Sequence, residues 1–207
     1  MEKYPVQLDV DYNPKSNRKT VLFRLFLVIP ILIVLGFLVN GHVASEDANP
    51  EKGENLYTIG FVVIPTLLMI LFRRKYPRWW FDWNLQLVKF SNRVSAYFFL
   101  LRDEYPSTDE EQAVHIALPY PDAAADLNRW MPLVKWLLVM PHIFILAFLW
   151  VAVLLWSILA WIVVLLDGSY PRSMFDFVVG VHRWSLRVSA YAFLLTTDEY
   201  PPFQLSD

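Results

Sequence analysis

Few side chains in this sequence are of a type and spacing that could do chemistry. Four histidines, His42, His115, His142 and His182, stand too far apart for H-x-x-x-H ligand spacing, and no carboxylate cluster accompanies them. His142 follows Pro141 within an apolar stretch. An ionisable group there is either a packed, hydrogen-bonded histidine or an intramembrane functional residue. Asp82 and Asp176 each follow an aromatic residue at the start of an amphipathic segment. They suit either a charge favouring a helix N-terminus or structural ion pairs, with Arg93 and Arg187 as partners. Lys89, Arg93, Arg183 and Arg187 form a basic set that fits anionic lipid headgroups, each contact contributing about 1 kcal/mol near an anionic surface. A solvated helix face with snorkelling stems is the plainer alternative. The sequence holds no Gly-rich phosphate loop, G-x-S-x-G elbow or H-E-x-x-H run, has six glycines, and lacks cysteine altogether. Catalytic residues, metal ligands and cofactor sites are therefore expected to be none.

The elements that would carry these residues are apolar. Of 207 residues, 56% are hydrophobic, and the mean hydropathy is +0.36, above the 45–50% apolar content usual for soluble domains. Net charge is −2, so no basic field points to nucleic acid. Tyr4–Tyr12 alternates apolar and polar residues as a half-buried strand does. Val21–Val39 is apolar apart from Arg24, long enough to cross a hydrocarbon core of about 30 Å, and Pro30 is expected to kink it. A signal peptide fits poorly, because a strand precedes the segment, the apolar run is long and no A-x-A site follows. Asn40–Asn55 is an acidic loop. Tyr57–Phe72 is a second apolar segment, and Arg73, Arg74, Lys75 and Arg78 follow it. Basic outer ends and an acidic loop place both termini in the cytoplasm. Trp79, Trp80 and Trp83 suit interface depth. Residues 80–101 then carry Asp82, Gln86, Lys89 and Arg93 on one stripe, the pattern of an amphipathic helix in the cytoplasmic interface with Tyr97 facing the membrane. The Val94–Leu101 end also has strand propensity.

The pattern then restarts. RVSAYFFLL at 93–101 returns as RVSAYAFLL at 187–195, and each is followed by Asp-Glu-Tyr-Pro, at 103–106 and 198–201. Val114, Ile116, Leu118 and Tyr120 alternate as Val6–Tyr12 did. Asn128-Arg129 matches Asn17-Arg18, Lys135 takes the place of Arg24, and Leu138–Pro141 matches Leu27–Pro30. Tyr170-Pro171-Arg172 matches Tyr76–Arg78, Phe175-Asp176 matches Phe81-Asp82, and Arg183 and Arg187 match Lys89 and Arg93. Residues 131–166 are apolar throughout. One helix of that length would measure about 54 Å, so a tight hairpin near Trp150–Trp156 is expected, either crossing fully or dipping in.

The opening YPVQLDVDY, the Tyr-Pro-Arg turn with FDF at Phe175–Phe177, and RWSLRVSAYAFLLTTDEYPPF from Arg183 to Phe203 resemble the domain of unknown function 4389 family. The second half resembles the pattern throughout. The first diverges, with FDW for FDF and the acidic loop inserted. The resemblance implies a bacterial inner-membrane setting and no particular activity.

The expectation is a mainly α membrane protein of two tandem repeats, 1–106 and 107–207. Each would hold a short strand, a transmembrane helical hairpin and a cytoplasmic amphipathic helix, giving four membrane helices: about 20–39 and 57–73, and the hairpin at about 131–166. The interfacial helices would run at about 80–101 and 174–195. The expected function is that of a non-enzymatic accessory or scaffold subunit of the inner membrane, multi-pass with cytoplasmic termini. Its partners would be membrane lipids and copies of itself or other membrane subunits, with no nucleic acid and no cofactor. The second reading is an anionic-lipid-binding or small transport protein.

Overall fold

The computed structural model describes residues 4–40 and 57–206. The acidic loop and His42 lie outside the described residues. The chain is mainly helical, with one two-stranded sheet. Strand β1 (Gln7–Val10) leads to α1 (Arg18–Asn40). Helix α2 (Tyr57–Leu68) runs on through a π-helical turn, Met69–Arg73, and α3 (Arg78–Phe98) follows. Strand β2 (Val114–Ala117) precedes α4 (Met131–Leu138), α5 (Met140–Asp167) and α6 (Arg172–Ala192).

The strands, far apart in sequence, pair antiparallel with Leu8 opposite Ile116 and Asp9 opposite His115. Each strand packs on a helix from the other half of the chain: β1 against α6 and β2 against α3. The tyrosines beyond the strands reinforce this crossing. The Tyr12 hydroxyl donates to the Tyr170 carbonyl at 2.7 Å, and the Tyr120 hydroxyl donates to the Tyr76 carbonyl. The Tyr12 ring meets Phe175 edge-on while Arg172 covers it, and the Tyr120 ring stands likewise between Phe81 and Arg78.

Among the described residues, two helical segments are long and apolar enough to cross a membrane, Thr20–Leu38 and Met140–Asp167. Only 17% of the α5 window is buried, which argues against the core helix of a soluble fold. Its inner side is the narrow stripe Leu146, Val153, Ser157, Ala160 and Val164, spaced by three, four and seven residues as a single packing seam requires. Trp161 Nε1–H donates to the Val21 carbonyl of α1 at 3.1 Å, and Trp150 Nε1–H to Ser185 Oγ of α6 at 3.1 Å. The outer side shows Phe144, Phe148, Leu155, Ile158 and Leu166.

Three expectations are corrected. The hairpin at 131–166 is absent: residues 150–156 lie inside α5, which continues for 28 residues, about 42 Å at 1.5 Å per residue. From Ile143 to Leu166 nothing breaks a helix, there being no proline, glycine or polar run. The joint falls earlier, at Val139, and Pro141 sits at the start of α5, where its missing N–H costs nothing. Gly168 ends the helix with φ 74°, and a Cβ there would meet Arg18 Nε at 3.1 Å. Four membrane helices are therefore not found among the described residues. Of the two helices expected at the interface, α3 keeps an exposed side with Trp79, Asp82 and Gln86, whereas α6 does not lie on the surface. α6 is buried on nearly every side, by α5, β1 and the C-terminal segment. Tyr97 and Tyr191, expected to face lipid, are buried in protein. Neither Pro30 nor Pro65 ends its helix.

A continuous α5 makes a direct prediction. With Leu155→Cys as the sole cysteine, a membrane-impermeant maleimide should leave intact vesicles unlabelled and label the denatured protein. Labelling of intact vesicles would indicate a turn at the membrane surface.

Candidate functional site

Two buried cations stand at the bases of the apolar helices. Arg24, in the second turn of α1, is 2% exposed. It donates to the Tyr97 carbonyl at 3.1 Å, forms an ion pair with Asp103 and lies over the Tyr97 ring at 4.6 Å. Lys135, in α4, is wholly buried. It pairs with Asp198 at 2.7 Å, donates to the Thr197 carbonyl at 2.6 Å and lies over the Tyr191 ring at 4.9 Å. Each aspartate also accepts a backbone N–H at the start of the apolar segment, from Asn17 at 2.8 Å and from Asn128 at 2.6 Å. The chain reaches these positions through a leucine in left-handed conformation after α3 and after α6, Leu100 (φ 62°) and Leu195 (φ 57°). For a residue with a Cβ that conformation costs about 1–2 kcal/mol, and burial of both leucines offsets it. The sequence treated Arg24 as snorkelling and assigned the Asp-Glu-Tyr-Pro segments no role. The usable signal was the recurrence of a cation seven residues after the asparagine of an Asn-Arg pair, together with a recurring aspartate.

The basic stripe does other work than expected. Arg93 donates to the Ser107 carbonyl at 2.9 Å and Arg187 to the Gln204 carbonyl at 3.4 Å. With 7% and 1% exposure, neither belongs to an open basic stripe: Arg187 is enclosed by the chain, and Arg93 borders only the cleft beside Lys89. Arg183 donates to the Leu8 and Leu205 carbonyls at 3.0 and 3.1 Å. These arginines fasten the segments that follow α3 and α6. Lys89 and Arg183 are only partly buried, and Lys89 opens onto a cleft. Asp82 and Asp176 pair with Arg78 at 3.4 Å and Arg172 at 2.9 Å, one helical turn back, and not with Arg93 or Arg187. Such exposed pairs contribute about 0.3–0.5 kcal/mol.

His142 lies in an aromatic box. Phe203 stacks on it at 3.8 Å, Tyr200 is near, and Trp184 Nε1–H donates to its Nδ1 at 3.0 Å. The imidazole is thus neutral, with its proton on Nε2. His182 has the other tautomer, its Nδ1–H donating to the Val178 carbonyl at 2.9 Å between Phe99 and Trp150. Burial pushes its pKa down to about 4. The structure does not bring His142, Asp82 and Asp176 together: His142 is enclosed, and the two aspartates are exposed beside their own arginines. No group of three or more potential metal ligands occurs among the described residues.

Residues 129–204 match a family described as a domain of unknown function, DUF4389. The match is a single stretch covering α4, α5, α6 and the segment up to Gln204, less than half of the chain. It includes Lys135, Asp198, His142 and Trp184. No curated protein and no solved structure matches the chain.

His182 gives the site a pH signature. Its folded pKa lies below the ordinary histidine value of about 6.5, so its contribution is complete above pH 6.5. The contribution is lost as pH falls toward 4, by about 3 kcal/mol in total. Denaturant titrations between pH 7 and 4 should show this slope, and His182→Phe should flatten it. An unchanged slope would mean that the imidazole is not buried as described.

Proposed function

We propose that this chain is an integral protein of the bacterial inner membrane that acts as a non-enzymatic accessory or scaffold subunit. It would be built by tandem duplication of one unit, with both termini cytoplasmic. The observation that carries the proposal is the division of labour between surfaces. α1 and α5 turn most of their apolar side chains outward, Phe26, Phe37, Phe144 and Phe148 among them, a surface suited to lipid and to neighbouring helices. Most of the buried charge is meanwhile spent inside the fold. Arg24 and Lys135 hold the Asp-Glu-Tyr-Pro segments, and Arg93, Arg183 and Arg187 hold backbone carbonyls.

Several observations support duplication. Leu8 and Ile116 occupy matching places in the two sequence patterns and face each other in the sheet, as expected where a two-fold axis passes between them. The Arg24 and Lys135 clusters use the same partner types, and so do the Tyr12 and Tyr120 clusters. Two units that exchange strands in this way resemble a dimer joined into one chain. The basic run Arg73–Arg78 favours a cytoplasmic face for the sheet layer.

Purification in a mild detergent with crosslinking and mass spectrometry tests the role. A reproducible homo-oligomer or a defined membrane-protein partner is expected. A monomer without any partner from native membranes would overturn it.

A further inference from the structure

Lys89 and Arg183 hold matching places in the two sequence patterns, but their surroundings differ. The C-terminal segment lies across α6 at Gly180, where an added Cβ would come within 2.9 Å of Leu205. Its carbonyls at Gln204 and Leu205 accept from Arg187 and Arg183. The match of Gly180 in α3 is Gln86, whose side chain would block such an approach. On that side the chain leaves Arg93 after a single carbonyl contact at Ser107 and continues into β2. What remains is an open cleft of about 330 Å³ between α3 and the sheet. Lys89 enters it with no hydrogen bond or ion pair in the structure. Arg93, more than nine-tenths buried, lines the same cleft, and its Nε–H has no acceptor. Gln112 and His115 complete the donor side, although His115 also contacts Asp11 at 3.3 Å. The lining also carries the carboxylates Asp9 and Glu111; Asp9 stands across the sheet from His115 and is shared with Arg183 at 3.9 Å.

We propose that this cleft binds a phosphoethanolamine group, its phosphate on Lys89 beside Arg93 and its ammonium on Glu111 and Asp9. The bipolar lining selects this chemistry. A dianion would meet the two carboxylates of the lining, whereas a phosphodiester monoanion carrying its own ammonium has partners for both of its charges. Charge-assisted hydrogen bonds from lysine and arginine to phosphate are among the stronger polar contacts available. The group can come from a lipid headgroup or from a soluble phosphodiester such as glycerophosphoethanolamine. The lipid source rests on the membrane setting proposed above, while the soluble source does not.

Two arms separate the sources, both with the full chain in detergent micelles or nanodiscs. In the first, glycerophosphoethanolamine and inorganic phosphate are titrated by calorimetry. In the second, native mass spectrometry compares retention of phosphatidylethanolamine and phosphatidylglycerol. Binding of glycerophosphoethanolamine in preference to phosphate identifies a soluble source. Selective retention of phosphatidylethanolamine alone identifies the headgroup. In either case Lys89→Ala should weaken binding about tenfold or more, Lys89→Arg should restore it, and Glu111→Gln should reduce the preference for the ammonium-bearing ligand. Lys89 has no hydrogen bond or ion pair among the described residues, so circular dichroism of the Lys89→Ala variant should match the parent and its melting should stay close to it. Absence of binding in both arms, unchanged binding by Lys89→Ala, or phosphate and phosphatidylglycerol binding as well as their ammonium-bearing counterparts would overturn the proposal. Failure here leaves the subunit role standing, since the oligomer and partner measurements read a different surface.

Discussion

A cation sealed beneath an apolar helix must be neutralised, and the rest of this fold depends on how that is done. Taking a lysine or guanidinium out of water costs several kcal/mol unless a counter-charge and hydrogen bonds replace the solvent. Arg24 and Lys135 each receive a carboxylate, a backbone carbonyl and the face of a tyrosine ring. The carboxylate comes from the segment after an amphipathic helix, so neutralisation also fixes where that helix ends. The aspartate then takes a backbone N–H at the entry to the apolar segment. One small cluster thereby ties helix base, helix end and chain entry together.

The two strands extend this linkage across the molecule. Each strand leaves its own half to cover a helix of the other, and a tyrosine beyond each strand locks onto the Tyr-Pro-Arg turn at the start of that helix. Two short strands are marginal as an isolated sheet. Here they are held by arginines and aromatic rings on one side and by each other through the ladder. Beside Lys89 the same layer leaves an open cleft.

Much of the local structure was legible in the sequence, because periodicity reports burial directly. The alternation in Val6–Tyr12 and Val114–Tyr120 marked both strands, and the spacing after Pro77 and Pro171 marked α3 and α6 to within three residues. The course of 131–166 was not legible. A bilayer-thickness argument demanded a turn, but no residue between Ile143 and Leu166 can make one cheaply, and a joint at Val139 shortens the helix instead. The roles of the basic stripe were missed because spacing places residues on a face without saying what covers that face. Arg93 and Arg187 lie on one stripe as read, yet the following chain folds back over them. Asp103 and Asp198 were missed for a related reason. Their partners lie 79 and 63 positions away in the chain, beyond any periodic signal.

The central claim is that two like-built clusters, Arg24–Asp103 and Lys135–Asp198, hold the helices to the layer beneath them. Parallel double-mutant cycles on the two pairs, read by denaturant unfolding in a mild detergent, test it most directly. Coupling of about 1–3 kcal/mol in both pairs is the predicted result. Coupling near zero in both, or confined to one, would contradict it.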